Sequence, residues 1–135
     1  MQAVMVIIKL DSEYWREAAP VNVMVVPWVP QQAVLAHNNT RLFITHCGMH
    51  GVLESIYYGV PMVGMPVFID QGDVLRRITD AGIGVGVDKA ASGEELYQAI
   101  LEVRDNPVYK QNIDKLSRVY RDRRFSVHLT SLSPI

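Results

Sequence analysis

Residues 42–71 read LFITHCGMHGVLESIYYGVPMVGMPVFIDQ. Leu42–Thr45 is a short apolar run of β-favouring residues and predicts a strand. From His50 to Tyr58, the positions Val52, Ser55, Ile56 and Gly59 share one side by i, i+3, i+4 spacing, which predicts a helix. Gly59 stands where a helix closes in the left-handed conformation, and Pro61 bars its continuation. Pro61–Pro66 predicts another strand, with Val67–Ile69 extending the apolar stretch. Strand, helix and strand in this order are the pattern of a parallel sheet covered by helices.

The same alternation runs outward in both directions. Upstream, Val4–Ile8 and Val23–Val26 are β-branched runs that predict strands, the second ended by Pro27. Asp11–Asn22 between them is polar and reads as a loop with room for a short helical turn. Gln31–Ala36 predicts a short helix. Downstream, Asp73–Ala81 predicts a helix with Gly82 just past its end, and Gly84–Val87 a short strand. Ser92 and Glu95 form a capping box, opening a helix with Leu96, Ile100 and Val103 on its apolar side. Asn106–Pro107 breaks that helix. A last one is expected from Pro107 to about Arg121, with Ile113, Leu116 and Tyr120 on one face. Phe125–Ile135 carries no charge and no period, and reads as a tail. No internal repeat is present. The expectation is an α/β fold: a Rossmann-like, doubly wound parallel sheet with flanking helices.

Composition sets the outer bounds. The 135 residues are 49% hydrophobic and 20% charged, with 9 Gly and 7 Pro, which excludes collagen-like, disordered and disulfide-rich classes. Cys47 is the single cysteine, so no intramolecular disulfide can form. The formal net charge of −1 argues against a chain built wholly around nucleic acid. Within 104–124, however, Arg104, Lys110, Lys115, Arg118, Arg121, Arg123 and Arg124 outnumber Asp105, Asp114 and Asp122. The bland account of that surplus is the solvent face of a helix, with Asp114–Arg118 as an i, i+4 pair. The sharper account is a nucleic-acid surface, but only Tyr109 and Tyr120 are interleaved for stacking, so no nucleic-acid partner is assigned. No apolar run reaches the ~18–20 residues of a membrane helix. The N-terminus lacks a basic, then apolar, signal pattern.

In an open parallel sheet, ligands bind beyond the carboxyl ends of the strands. Three segments there carry chemistry: Trp28–Gln31, His46–Gly51 and Asp70–Gln71. Gly48 and Gly51 flank a strand-to-helix turn, where free N–H groups and the helix dipole favour an anion such as phosphate. His46, at the strand end, is placed to donate to the same anion. Glu54, one turn on, suits two ribose hydroxyls. Trp28 offers a flat face for a base, and Asp70 with Gln71 suits sugar hydroxyls. Each has a structural alternative: Trp28 packed at a domain edge, Glu54 solvated, Asp70 capping a helix. His46, Cys47 and His50 have metal-like spacing, but no second pair completes a zinc site, so no metal is assigned. Cys47 reads as a small buried residue and not a nucleophile.

The stretch Trp28–Gln71 resembles the signature box of the UDP-glycosyltransferase family, which moves sugar from a UDP-sugar to a small acceptor. The matching segments are WVPQ at 28–31, HCGMHGVLE at 46–54 and GVPMVGMPVFIDQ at 59–71, in the family's spacing without a gap. Weaker similarity extends from about residue 3 to residue 122 and includes DNPVYKQNIDKLSR at 105–118, and Gly51 with the helix after it resembles animal rather than plant members. The resemblance implies the C-terminal, donor-binding domain of the glycosyltransferase B fold. It implies that Trp28 stacks on uracil with Gln31 beside it. His46 and the Gly48–Gly51 backbone hold the diphosphate, Glu54 the ribose, and Asp70 and Gln71 the sugar. His50 stands near the phosphates where the family usually has Asn. Val74 also stands where Asn is frequent.

The resemblance further implies a UDP-glucose or UDP-glucuronic acid co-substrate, a small lipophilic acceptor and no metal cofactor. The family's acceptor half, with its catalytic His and Asp, has no counterpart in these residues, so no catalytic residue is assigned. Neither do the first donor-domain strand, the closing helix and the membrane anchor. The expected organisation is a partial donor domain over 1–122 and a divergent tail over 123–135. The expected product is an inactive fragment or truncated form that binds UDP or associates with full-length family members. The family works on the lumenal side of the endoplasmic reticulum membrane. There Asn38–Asn39–Thr40 is a glycosylation sequence. A partial domain leaves sheet edge exposed, so marginal stability or association is expected, and a monomer melting well above about 60 °C would contradict it.

Overall fold

The computed structural model describes residues 5–9 and 11–130. The beginning of the first expected strand and the end of the expected tail lie outside them. The chain forms two compact units, Met1–Val34 and Leu35–Ile135.

In the first unit, β1 (Val6–Lys9) pairs in parallel with β2 (Val23–Val26), Val6 opposite Val23 and Lys9 opposite Val26. The connection holds a short helix, α1 (Glu13–Ala18), within the stretch read as a loop with room for a helical turn. Ser12 starts it: its side chain accepts from the Trp15 N–H at 3.2 Å, satisfying a donor of the first turn. This unit buries little. Among its described residues Val25 is a core side chain, whereas Val6, Ile7, Ile8 and Met24 are all more than a third exposed. α2 (Gln31–Ala36) follows as expected.

The second unit holds three parallel strands, β3 (Phe43–Thr45), β4 (Met62–Gly64) and β5 (Gly84–Gly86), in the order β3-β4-β5. α3 (Met49–Tyr58) connects the first pair and α4 (Ile69–Asp80) the second. α5 (Gly93–Asp105) and α6 (Pro107–Thr130) complete it. Successive strand residues face opposite sides. Met62 packs with Val52, Ile78, Ile83 and Ile113, beneath α3, α4 and α6. Val63, its neighbour, packs with Val103, Leu96 and Ile100 of α5. The expected Rossmann-like α/β fold is thus observed, with its strands in two ladders.

Gly59 closes α3 at φ 71°, its N–H reaching the carbonyls of Ser55 and Ile56. Gly82, at φ 68°, follows α4. Several boundaries differ from expectation by a residue, and three differences are larger or bear on the site. β4 is shorter than 61–66. α4 begins at Ile69 and not Asp73, because Gln71 folds back over its own N-terminus and accepts from the Phe68 N–H at 3.0 Å. α6 continues past Arg121 to Thr130, so the helix takes in the beginning of the expected tail.

Two basic residues of α6, Lys110 and Arg121, serve another helix. Lys110 Nζ donates to the Gly59 carbonyl at 2.8 Å, and both Ser117 Oγ and Arg121 Nε donate to the Tyr57 carbonyl at 2.8 Å. Asn112 does the same for Gly82 at 2.9 Å. Donors, two of them cationic, therefore satisfy the orphan carbonyls at the ends of α3 and α4, where the dipole favours positive charge. Asp114 pairs with Lys110 at 3.1 Å, in place of the Arg118 partner expected from spacing.

Candidate functional site

Strands β3 and β4 are neighbours, and both deliver the chain from their carboxyl ends into helix N-termini. At the end of β3, Thr45 is buried and its Oγ1 accepts from the Cys47 N–H at 3.1 Å. Cys47 is left-handed, at φ 73°, an arrangement that costs a side-chain-bearing residue on the order of 1 kcal/mol or more. The turn sends Cys47 inward, fully buried, and leaves His46 exposed before it. Burial pushes the Cys47 thiol above its ordinary pKa, only partly offset by a backbone hydrogen bond from Met65. It is a neutral core group and a poor nucleophile.

Gly48 is the N-cap of α3 and has no side chain to cap it. The first-turn N–H groups of Met49, His50 and Gly51 therefore face the strand ends without an intrahelical acceptor. Glycine at 48 also does something the sequence did not show: it leaves room for the His46 ring. A Cβ there would lie 2.5 Å from His46 Cε1, so the imidazole rests against the bare Cα. The space opened by Gly48 is filled by this chain's own histidine.

At the end of β4, Gln71 is buried in the first turn of α4. Its Oε1 accepts from Val67 N–H at 2.9 Å and Phe68 N–H at 3.0 Å. Its Nε2 lies 3.0 Å from His46 Nδ1. Both lone pairs of the amide oxygen are thereby used, and one N–H remains for a ligand. Asp70, just before it, is exposed and sits inside the helix's first turn, not at the cap.

The structure thus brings His46, Gly48 and Gln71 into contact. His50, exposed, and Gly51 occupy the first turn of α3, and Glu54 the second, half-buried. Trp28 and Gln31 belong to the first unit; Trp28 is 69% exposed and Gln31 opens α2. Val74 packs against the core cluster of Cys47 and Val52, which accounts for an apolar residue there. The sequence reading missed the Gln71–His46 bond. Their separation of 25 residues carries no periodic signal; the only pointer was that each closes a parallel strand. Among the described residues no three His, Cys, Asp or Glu side chains gather as a metal ion would need. Also among them, no helix is long and apolar enough to cross a membrane.

Parallel strands feeding helix N-termini, that of α3 open and that of α4 capped by Gln71, define a Rossmann-like α/β class of domain. The chain belongs to the "UDP-glucoronosyl and UDP-glucosyl transferase" family, whose sequence profile matches residues 10–127. It is 45% identical over 103 residues to UDP-glucuronosyltransferase 2C1 of Oryctolagus cuniculus, covering 76% of this chain and 20% of that protein. It is 35% identical over 116 residues to 2-hydroxyacylsphingosine 1-beta-galactosyltransferase of Homo sapiens, covering 81% and 21%. Among solved structures it resembles Os79 from O. sativa in complex with UDP. The TM-score is 0.71 and the identity 36%, over 79% of this chain and 26% of that one. The chain spans about a fifth of the length of the curated relatives it matches.

Proposed function

We propose that this chain supplies the donor-binding surface of a UDP-glycosyltransferase. The observation that carries the reading is the open N-terminus of α3 with His46 standing at its mouth. In this reading the diphosphate sits on the N–H groups of Gly48–Gly51, with His46 and His50 as side-chain donors. Glu54 takes the ribose hydroxyls, and Trp28 stacks on uracil beside Gln31. Asp70 takes sugar hydroxyls, and Gln71 contributes its single remaining N–H. The donor is UDP-glucose or UDP-glucuronic acid, and the UDP-sugar is a co-substrate, with no metal or other cofactor assigned. Residues 1–122 form the donor-binding portion and 123–135 a divergent segment. The proposed setting is the lumenal side of the endoplasmic reticulum membrane.

Transfer also needs a surface that holds a lipophilic acceptor and a base for its hydroxyl, and no residue here is given that role. The 135 residues on their own therefore bind donor without turning it over. A second reading is favoured by the exposed apolar side chains Val6, Ile7, Ile8 and Met24: that the chain associates with full-length family members.

Calorimetric titration with UDP tests the first reading. Hydrogen bonds to a charged group are worth roughly 1.5–3 kcal/mol, so Glu54→Ala is expected to weaken UDP about 10- to 100-fold. Unchanged affinity in both Glu54→Ala and Trp28→Ala would place the site elsewhere. Sugar transfer by the isolated chain from either UDP-sugar to any of a panel of lipophilic alcohols would overturn its proposed inactivity.

A further inference from the structure

We propose that Gln71 is the positioning residue of His46, fixing the imidazole as its Nε2–H tautomer with that N–H turned to the ligand. The inference rests on the donor-site reading for what the ligand is, a diphosphate, but its geometry stands on the free protein.

The amide orientation follows from its partners. Val67 and Phe68 present two backbone N–H groups, 2.9 and 3.0 Å from the same Gln71 atom. Only the carbonyl oxygen can accept both, so the NH2 end must face His46. An amide nitrogen donates and does not accept. His46 Nδ1, 3.0 Å away, is therefore the acceptor and carries no proton. In the neutral ring the proton is then on Nε2. Among the described residues His46 Nε2 has no hydrogen-bond partner, and the ring is exposed. The anchor itself is rigid: Gln71 is 9% exposed, and its oxygen is pinned by the loop that opens α4.

A second contact lies at the Cε1 edge of the ring. His46 Cε1, Nδ1 and Nε2 would all lie within 3.4 Å of a Cβ at position 48. With glycine there, the imidazole brings its Cε1 edge against the turn that opens α3. Gly48 at Cε1 and Gln71 at Nδ1 together hold the ring by two adjacent atoms. The Nε2–H is thereby set in advance as a donor beside the open N–H groups of α3. Preorganisation of this kind removes the rotamer and tautomer cost of binding. It also assigns Gln71 a task that contact with the sugar alone does not require.

The discriminating variant is Gln71→Glu in the full 135-residue chain. A carboxylate oxygen still accepts from Val67 and Phe68, so the helix cap survives. The group facing His46, however, changes from donor to acceptor. Histidine 15N spectra are recorded about two pH units above the ordinary imidazole value of ~6.5, with His46→Asn assigning the signal. In the wild type, His46 is expected to show an unprotonated Nδ1 and a protonated Nε2. In Gln71→Glu the proton is expected to move to Nδ1, with the urea midpoint unchanged. UDP affinity is expected to fall at least tenfold in Gln71→Glu, and by less than half that factor when the substitution is made on a His46→Ala background. A wild-type His46 that carries its proton on Nδ1 or mixes tautomers would overturn the proposal. So would a Gln71→Glu chain with the tautomer unchanged, or an equal loss of UDP affinity on both backgrounds. Failure of the wild type to bind UDP while it holds the Nε2–H tautomer would instead overturn the donor reading and leave the positioning of His46 standing.

Discussion

Cys47 is held at φ 73° with its side chain wholly buried. Two terms of opposite sign therefore meet in one residue. Truncation to alanine keeps the left-handed backbone and loses the sulfur, at about 1–2 kcal/mol for a small buried side chain. Truncation to glycine loses as much contact but relieves roughly 1 kcal/mol of backbone cost. In ordinary helix or strand interiors glycine is the worse of the two by about 0.5–1 kcal/mol. Here the order is expected to reverse, with Cys47→Gly at least as stable as Cys47→Ala in urea melts. A clearly less stable glycine variant would show that the left-handed turn is not what limits position 47. The sequence pointed to Cys47 as a small buried residue at a strand end. It gave no sign of the inverted backbone, whose N–H donates to Thr45 Oγ1.

Glycines in the secondary elements divide by what surrounds them. Gly72 lies inside α4 with open space where a Cβ would stand. Gly72→Ala should stabilise the chain by about 0.5–1 kcal/mol through the entropy of the unfolded state. Gly84 lies in β5, where a Cβ would collide with the Met62 carbonyl oxygen and the side chain of Ile78. Backbone cannot give way as a flexible side chain can, so Gly84→Ala should cost about 1–3 kcal/mol or more and loosen the β4–β5 ladder. Paired urea melts check both signs, and an alanine tolerated at 84 would mean that β5 can shift away from β4. The helices were more legible than the strands. Apolar spacing and Gly59 marked α3 to within a residue, whereas α4 began four residues early because Gln71 caps it, a contact within 68–71 that apolar periodicity does not register.

Across the whole molecule, stability is unevenly placed. The second unit packs Met62 and Val63 on opposite faces of its sheet, each in its own apolar cluster. At about 1.5–3 kcal/mol for each large apolar side chain buried, these clusters hold most of the folding energy. The first unit has Val25 inside and Ile7 and Ile8 at 45% and 41% exposure. Amides of β1 and β2 should therefore exchange with deuterium well before those of β3, β4 and β5, as a separate low-stability opening. Equal protection in both ladders, in the monomer, would show that the chain opens only as a whole.

The sequence by itself determined the alternation of strands and helices, the family and the order of candidate site residues along the chain. These depend on local periodicity, on glycine and proline at helix ends, and on the spacing of the 28–71 box. Only the tertiary structure decided which groups meet. It placed Gln71 against His46, set His46 against Gly48, and turned Lys110 and Arg121 to the end of α3. The physical reason is that a hydrogen bond between residues tens of positions apart follows from strand order and the pitch of the packed helices. Neither leaves a periodic trace in the chain.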